Sequence, residues 1–365
     1  MDGARDGYLL PKPLRTLAKW SHARIMVLAV VVAIVLGVVD WTTGPLFSFT
    51  IFYLVPVALV AWLVGRREAI LLSLFCAVVW TVADAEPWPS SFPPVVDLWN
   101  LAVRLGFFLL VTWALATTRR ALESQNTLAR RVQMGLLRSR LPADGPIEVA
   151  ASWRPAQAVS GDFYFVDQDP LGAVVACIAD VSGKGVGPAL LMANVQAALE
   201  TSVEAGAGPG ALCARLNQFV SRHASDGQFV TFFVIRIDVA ARRASYCNAG
   251  HNPPLHLRTE GKVEWLSGGG PVLGIFPDQR FEEREIPLAA FDRVVLFTDG
   301  VSESWNAVGE EFGDQRILAA AQGPGWAGAE ETQHRILDAL DGFAQGNYHD
   351  DVTTVVLTVK PNGSP

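Results

Sequence analysis

Acidic residues recur at four short stations: Asp162 in SGDFY, Asp180 in ADVSGKG, Asp299 in FTDG, and the pair Asp350–Asp351 in HDD. Three of these adjoin apolar, β-branched runs. Ala173 to Ala179 leads into Asp180, Val294 to Phe297 leads into Thr298-Asp299-Gly300, and Asp350-Asp351 opens Val352 to Leu357. Short runs of this kind, bounded by turn residues, are read as buried strands. Carboxylates at strand ends can converge on one rim of a sheet, where they repel one another unless positive charge stands between them. Hard divalent cations supply that charge, and oxygen ligands suit magnesium or manganese rather than zinc. Two such ions form a known device for phosphoryl chemistry. A single Asp before Gly is an ordinary turn residue, so the weight lies on the ordered set.

Other residues near these stations carry polar chemistry. Gly183-Lys184-Gly185 precedes a helix, and glycine-rich turns that open helices present backbone N–H groups to phosphate. The alternative is a tight turn that shapes the acidic site. His251 in NAGHNPP is a candidate general acid or a structural hydrogen-bonder. His349 beside the acid pair is a candidate proton donor. A Walker-type phosphate loop is absent from the sequence.

The elements that must position these residues are legible from pattern. Asp162–Val166 and Leu171–Ala179 read as a strand pair, and Pro188 opens an apolar-periodic helix. A second helix is expected from about Gly210 to His223. Strands are expected at Phe229–Asp238, Ala244–Asn248, Val294–Phe297 and Val352–Val359, and helices near Arg316–Ala321 and Glu330–Phe343. Helices segregated from mostly antiparallel strands indicate an α+β layered sandwich.

The first third of the chain reads differently. Apolar stretches at about 25–41, 46–64, 69–83 and 98–117 follow one another with short loops. Spanning hydrocarbon takes roughly 20 residues. By that measure the second and fourth suffice, while the first and third lean on Trp20, Trp41 and Trp80 as interfacial anchors. Lys12, Arg15, Lys19 and Arg24 precede the first stretch, Arg66 and Arg67 follow the second, and Arg119 and Arg120 follow the fourth. The loop from Glu86 to Asp97 carries no positive charge. The positive-inside rule then places both termini in the cytoplasm. A secretory signal peptide does not fit the long polar leader. Residues 118–141 are charged and lack proline before Pro142. Leu122, Ala129, Val132 and Leu136 give a loose heptad seam, read either as a homodimeric coiled coil or as a monomeric amphipathic helix. Gly135 is the soft point of that helix.

Composition narrows the classes further. A net charge of −7 over 365 residues, with no long basic cluster, argues against nucleic-acid binding. The four cysteines, Cys76, Cys177, Cys213 and Cys247, are scattered without C-x-x-C spacing and read as buried free thiols. No kinase-type glycine boxes are present, and four spans without intramembrane charge pairs do not make a transporter.

Together, RPAQAVSGDFY, ADVSGKGVGPALLMA, NAGHNPPL, VLFTDGVSESWN with EEFG, and HDDVTTVV resemble the bacterial protein phosphatase 2C-like phosphatases. Within these the stage II sporulation protein E and sigma-B-regulator branch is the nearest in pattern. The resemblance runs over about residues 130–360. It implies an antiparallel β-sandwich flanked by helices (αββα), and the apolar stretches place an all-α transmembrane domain before it. The implied division is a segment 1–23, a four-helix membrane domain 24–117, a linker helix 118–141 and a catalytic domain 142–361. It further implies two manganese or magnesium ions held by Asp162, Asp180, Asp299 and Asp350, with the Val181 carbonyl as a backbone ligand and Asp351 beside them. Gly183, Lys184 and His251 are the candidate substrate-binding residues from their own positions. The implied substrate is a phosphoserine or phosphothreonine on a small protein, typically an anti-sigma-factor antagonist. The setting is a multi-pass protein of the cytoplasmic membrane that acts in signal-controlled partner switching. Many relatives carry a further acid three residues after the first Asp. Phe165 stands there in this chain, which leaves a catalytically dead membrane-linked scaffold as the rival reading.

Overall fold

The computed structural model describes residues 17, 20–43, 49–85, 94–137, 145–225, 227–323, 327–346 and 348–361. The chain divides into two compact units, 1–127 and 128–365. That division falls inside the expected linker 118–141. Leu141 and Pro142, expected to end the linker helix, lie outside the described residues.

The first unit is helical: α1 (His22–Thr43), α2 (Thr50–Leu63), α3 (Arg66–Ala85) and α4 (Pro94–Leu136), the last continuing into the second unit. A core of Ile25, Ala29, Ala33, Tyr53, Val57, Val60, Leu72, Cys76, Trp80 and Phe108 holds these helices together. Gly37 makes one close approach possible, because a Cβ there would strike Val79. Outward faces are also apolar: Val27, Val31, Val35 and Val38 on α1, Leu71, Val78 and Val82 on α3, and Val103, Leu110 and Trp113 on α4 are exposed. Among the described residues two helices, His22–Thr43 and Leu98–Leu136, are long and apolar enough to cross a membrane. This corrects the expectation from the sequence for the first stretch. The first stretch, expected to be short, extends to Thr43, where Thr42 and Thr43 hydroxyls bond back to Val39 O. The second, expected over about 46–64, has 14 described helical residues, and residues 44–48 lie outside the described residues.

The second unit is an α+β sandwich. Its elements are β1 (Ile147–Arg154), β2 (Phe163–Gln168), β3 (Val174–Val181), α5 (Val186–Glu204), α6 (Pro209–His223), β4 (Val230–Asp238), β5 (Arg243–Ala249), β6 (Leu255–Leu257), β7 (Val263–Trp265), β8 (Gly269–Gly270), β9 (Arg284–Pro287), β10 (Arg293–Phe297), α7 (Asp299–Ser302), α8 (Gly313–Gln322), α9 (Ala329–Ala344) and β11 (Val352–Val359). One sheet has the order β1-β11-β10-β6-β7. The other runs β2-β3-β4-β5-β8, with β9 also pairing β5. All pairings are antiparallel except β5 with β8.

Strand alternation explains the layering. On β3, Val174, Ala176 and Ile178 face the sheet-to-sheet core with Phe233, Ile235, Leu296 and Val355, while Val175, Cys177 and Ala179 face α5 and α6 with Met192, Leu199 and Leu216. The opposite sheet turns Val295, Phe297 and Val356 toward Ile317, Ile336 and Leu340 of α8 and α9. β3 and β11 are buried on both faces, so they read as continuous apolar runs rather than as alternating ones. The four cysteines are free and buried, as their spacing indicated.

Two ion pairs pin the frame. Arg236 Nε donates to Asp169 Oδ2 at 2.6 Å, fixing the β2–β3 turn, and Arg154 Nη1 donates to Asp341 Oδ1 at 2.8 Å, tying β1 to α9. The fully buried Phe233 sits between the sheets. Phe233→Ala is expected to cost about 3–5 kcal/mol through lost transfer energy and a residual cavity. Urea denaturation followed by circular dichroism checks this.

Candidate active site

The antiparallel pairings bring the acidic stations to one end of the sandwich. The start of β2 lies beside the end of β3, with Phe163 opposite Ala179. The end of β10 lies beside the start of β11, with Phe297 opposite Thr354. Asp162 precedes β2, Asp180 closes β3, Asp299 follows β10, and Asp350 and Asp351 precede β11. Asp162 joins the two sheets. Its Oδ2 accepts the Thr298 hydroxyl at 2.8 Å and the Thr353 hydroxyl at 2.6 Å, both from the opposite sheet.

Asp351 holds a different part of the rim. Its carboxylate accepts Ala156 N at 2.7 Å, Ser160 Oγ at 2.6 Å and Gly161 N at 3.2 Å. The turn carrying SGD is thereby fastened to the start of β11. Gln133 fastens the same turn from α4, donating to Ser160 O at 3.0 Å and accepting Ser160 N at 3.1 Å. Thr298, Thr353, Ser160 and Gln133 are functional neighbours that motif reading did not single out. For Thr298, Thr353 and Ser160 the signal was present only as hydroxyl residues flanking the acids, and for Gln133 there was none.

Two glycines are required by close approach. A Cβ on Gly161 would come within 2.7 Å of the Val181 carbonyl oxygen, and one on Gly300 would strike the carbonyl oxygen of Asp351. The glycines of SGD and TDG therefore let the turns close around the acids. Gly183 and Gly185, at φ +99° and +94°, give the left-handed turns on either side of Lys184. Pro188 lies in the first turn of α5, where its missing N–H has no helical partner to lose.

The electrostatics follow from burial of like charges. Burial first, then Asp180 and Asp351, push Asp162 well above the usual carboxylate range. Burial, reinforced by Asp299 and Asp350, pushes Asp180 up to about 7. Asp299 rises to about 6 through burial and the charges of Asp350 and Glu303. Asp351 is also raised, chiefly by burial. The Lys184 ammonium stands at the cluster, donating to Asp350 Oδ2 and to His349 O, each at 2.8 Å. Among the described residues no three His, Cys, Asp or Glu side chains already form a closed cation cage. The chemistry of the donor set nonetheless suits a hard dication: oxygen donors only, mutually repelling, with one already drawing a side-chain cation.

The remaining sequence candidates fall in different places. His251 is 5% exposed. Its Nδ1 pairs with the Thr231 hydroxyl at 2.8 Å and its Nε2 with Phe297 O at 3.2 Å. Both ring nitrogens are engaged inside the protein, so the geometry gives His251 a structural part rather than a substrate-facing one. Burial lowers it to about 4. Phe165 is 3% exposed and packs in the core beneath α5 and α6. Gly183 is in the turn beside Lys184, and the Val181 main chain backs onto Gly161.

The comparisons with known proteins point the same way. The profile of the family "Stage II sporulation protein E (SpoIIE)" matches residues 170–360. Phosphoserine phosphatase RsbU of Bacillus subtilis is 30% identical over 242 residues, covering 66% of this chain and 71% of that protein. Phosphoserine phosphatase RsbP of the same organism is 28% identical over 193 residues, covering 51% of this chain and 46% of that protein. The SiaA-PP2C domain of Pseudomonas aeruginosa superposes with a TM-score of 0.59 at 21% identity, over 67% of this chain and 99% of that one. That last likeness shows the shared fold.

Two outcomes test this geometry. Gly300→Ala must push the Asp351 carbonyl away and is expected to destabilise by about 1–3 kcal/mol, measured by urea melts. His251 stays neutral when folded but binds a proton near pH 6.5 when unfolded. Its contribution is complete above pH 6.5 and is lost as pH falls toward 4. Relative to His251→Gln, the parent protein is expected to lose about 3 kcal/mol between those limits, measured by melts across pH.

Proposed function

This chain belongs to the stage II sporulation protein E (SpoIIE) family of protein phosphatase 2C-type serine/threonine phosphatases, and from that premise we propose a membrane-anchored, divalent-cation-dependent enzyme acting on a small phosphorylated regulatory protein. The observation that carries the reading is the convergence of Asp162, Asp180, Asp299, Asp350 and Asp351 from both sheets onto one rim, each influencing another's charge.

Two manganese or magnesium ions, held by these carboxylates and the Val181 carbonyl, would supply Lewis acidity for phosphoester hydrolysis. The chain's own residues do the positioning. Thr298 and Thr353 fix Asp162, and Asp351 fixes the SGD turn, so the acids are preorganised rather than gathered at each turnover. Lys184, beside Gly183, brings positive charge to the rim where a phosphate dianion arrives. The substrate is a phosphoserine or phosphothreonine on an anti-sigma-factor antagonist type of protein, in line with the motif resemblance.

Membrane anchoring is supported by the two long apolar helices and by the apolar outward faces of the first unit. Arg66, Arg67, Arg119 and Arg120 favour a cytoplasmic catalytic unit. Signal input through α4 is supported by two contacts at its end: Gln133 on the Ser160 backbone, and Gln196 of α5 donating to Leu136 O at 2.6 Å. The exposed Leu128 and Val132 on that helix fit a second copy of the chain.

The full-length chain in detergent micelles is expected to hydrolyse p-nitrophenyl phosphate with manganese or magnesium and to stop with EDTA. Asp180→Asn and Asp299→Asn are each expected to lower turnover at least about a hundredfold while the protein stays folded. A folded parent protein inactive with every cation would instead establish a phosphatase-fold scaffold.

A further inference from the structure

We propose that Lys184 is a built-in counter-ion of the acidic rim, and that a divalent cation gains its full hold on the site only by displacing this ammonium from Asp350. The inference rests on the metal-dependent reading above and concerns how the site is kept before a cation arrives.

The observation is an asymmetry among the groups that satisfy three of the five carboxylates. Asp162 and Asp351 are held by neutral donors: hydroxyls of Thr298, Thr353 and Ser160, and amides of Ala156 and Gly161. Neutral donors fix a carboxylate in place and leave its charge available. Asp350 is held otherwise. Its Oδ1 accepts Asp351 N at 2.9 Å, and its Oδ2 faces the Lys184 ammonium at 2.8 Å. The ammonium cancels charge that a dication would use.

The arrangement is built for that contact. Left-handed glycines on both sides of Lys184 turn the loop so that its side chain crosses to a segment 165 and 166 residues distant, His349 and Asp350. The pair is nonetheless half exposed, with the two side chains at 44% and 45%. Exposed pairs of this kind are weakly held, because water screens them. Such a contact offsets repulsion among the acids and is readily exchanged. Lysine also suits the part, being a compact charge on a flexible stem that can swing away without unfolding the turn. Once displaced, it stands beside the rim and can meet a phosphate group.

Calorimetric titration of manganese into EDTA-stripped, full-length protein tests this. A unit charge a few ångström from a dication repels it even where water screens the pair. Lys184→Met is therefore expected to bind manganese about tenfold more tightly. Its metal-free form should melt lower than the parent's and gain more on adding manganese. Lys184→Arg, which keeps the charge, should stay near the parent affinity. Unchanged or weaker binding by folded Lys184→Met would overturn the counter-ion role and leave Lys184 as a loop tether. A parent protein that takes up no manganese would overturn the metal-dependent reading as well, so the two failures are told apart.

Discussion

The second unit is organised around an unfavourable interaction: several carboxylates held close together, partly out of water. Burial and mutual repulsion raise Asp162, Asp180, Asp299 and Asp351 together. A flexible chain would relieve this by letting the acids drift apart. Here they are mounted at the ends of β2, β3, β10 and β11, whose central residues are buried against one another. The sandwich core thus serves the site by denying the acids their escape.

Hydrogen bonds between the sheets complete that restraint. The two threonine hydroxyls on Asp162 come from either side of the β10–β11 pairing, and Thr353 N also donates to Thr298 Oγ1 at 3.1 Å. A buried carboxylate with two hydroxyl donors is far less costly than one with none. The same threonines set the spacing of the sheets at the catalytic end. Asp351, with three donors from residues 156–161, performs the equivalent task for the turn that delivers Asp162.

Much of this was legible in the sequence, for identifiable reasons. β3, β10 and β11 are apolar runs flanked by acids, α6 and α9 carry strong periodic patterns, and α5 is a long apolar run with Pro188 in its first turn, so their existence and order were readable. β1 was missed because Ile147–Arg154 alternates weakly and stands away from any acidic station, yet it pairs along its whole length with β11. The strands β6 to β9 have two to four residues each, too short for periodicity to register. At the site the acids were visible and their supports were not, since a Thr beside an Asp has no spacing signature. Phe165 shows the same limit. Its place in the motif suggested a missing ligand, while its side chain belongs to the face of β2 covered by α5 and α6. Placing a carboxylate there would mean burying charge in an apolar layer, so the phenylalanine is first of all a packing residue.

The division between fixed and exchangeable parts follows the division between buried and exposed. Asp162 is buried and held by neutral threonine hydroxyls, and the buried Ser160–Gly161 turn holds Asp351 through neutral donors of its own. The Lys184 turn lies outside, and across from it His349 meets Trp305 edge-on at 6.4 Å. Trp305 is 49% exposed and Val308 80% exposed, on a loop braced from within by Asn306, whose side-chain oxygen accepts Val308 N and Glu310 N. The proposed binding of cations and then of a phosphorylated protein calls for a rim that can rearrange and a floor that cannot. Neutral hydrogen bonds inside and an exposed ion pair outside provide that combination, because desolvation stiffens the first and water loosens the second.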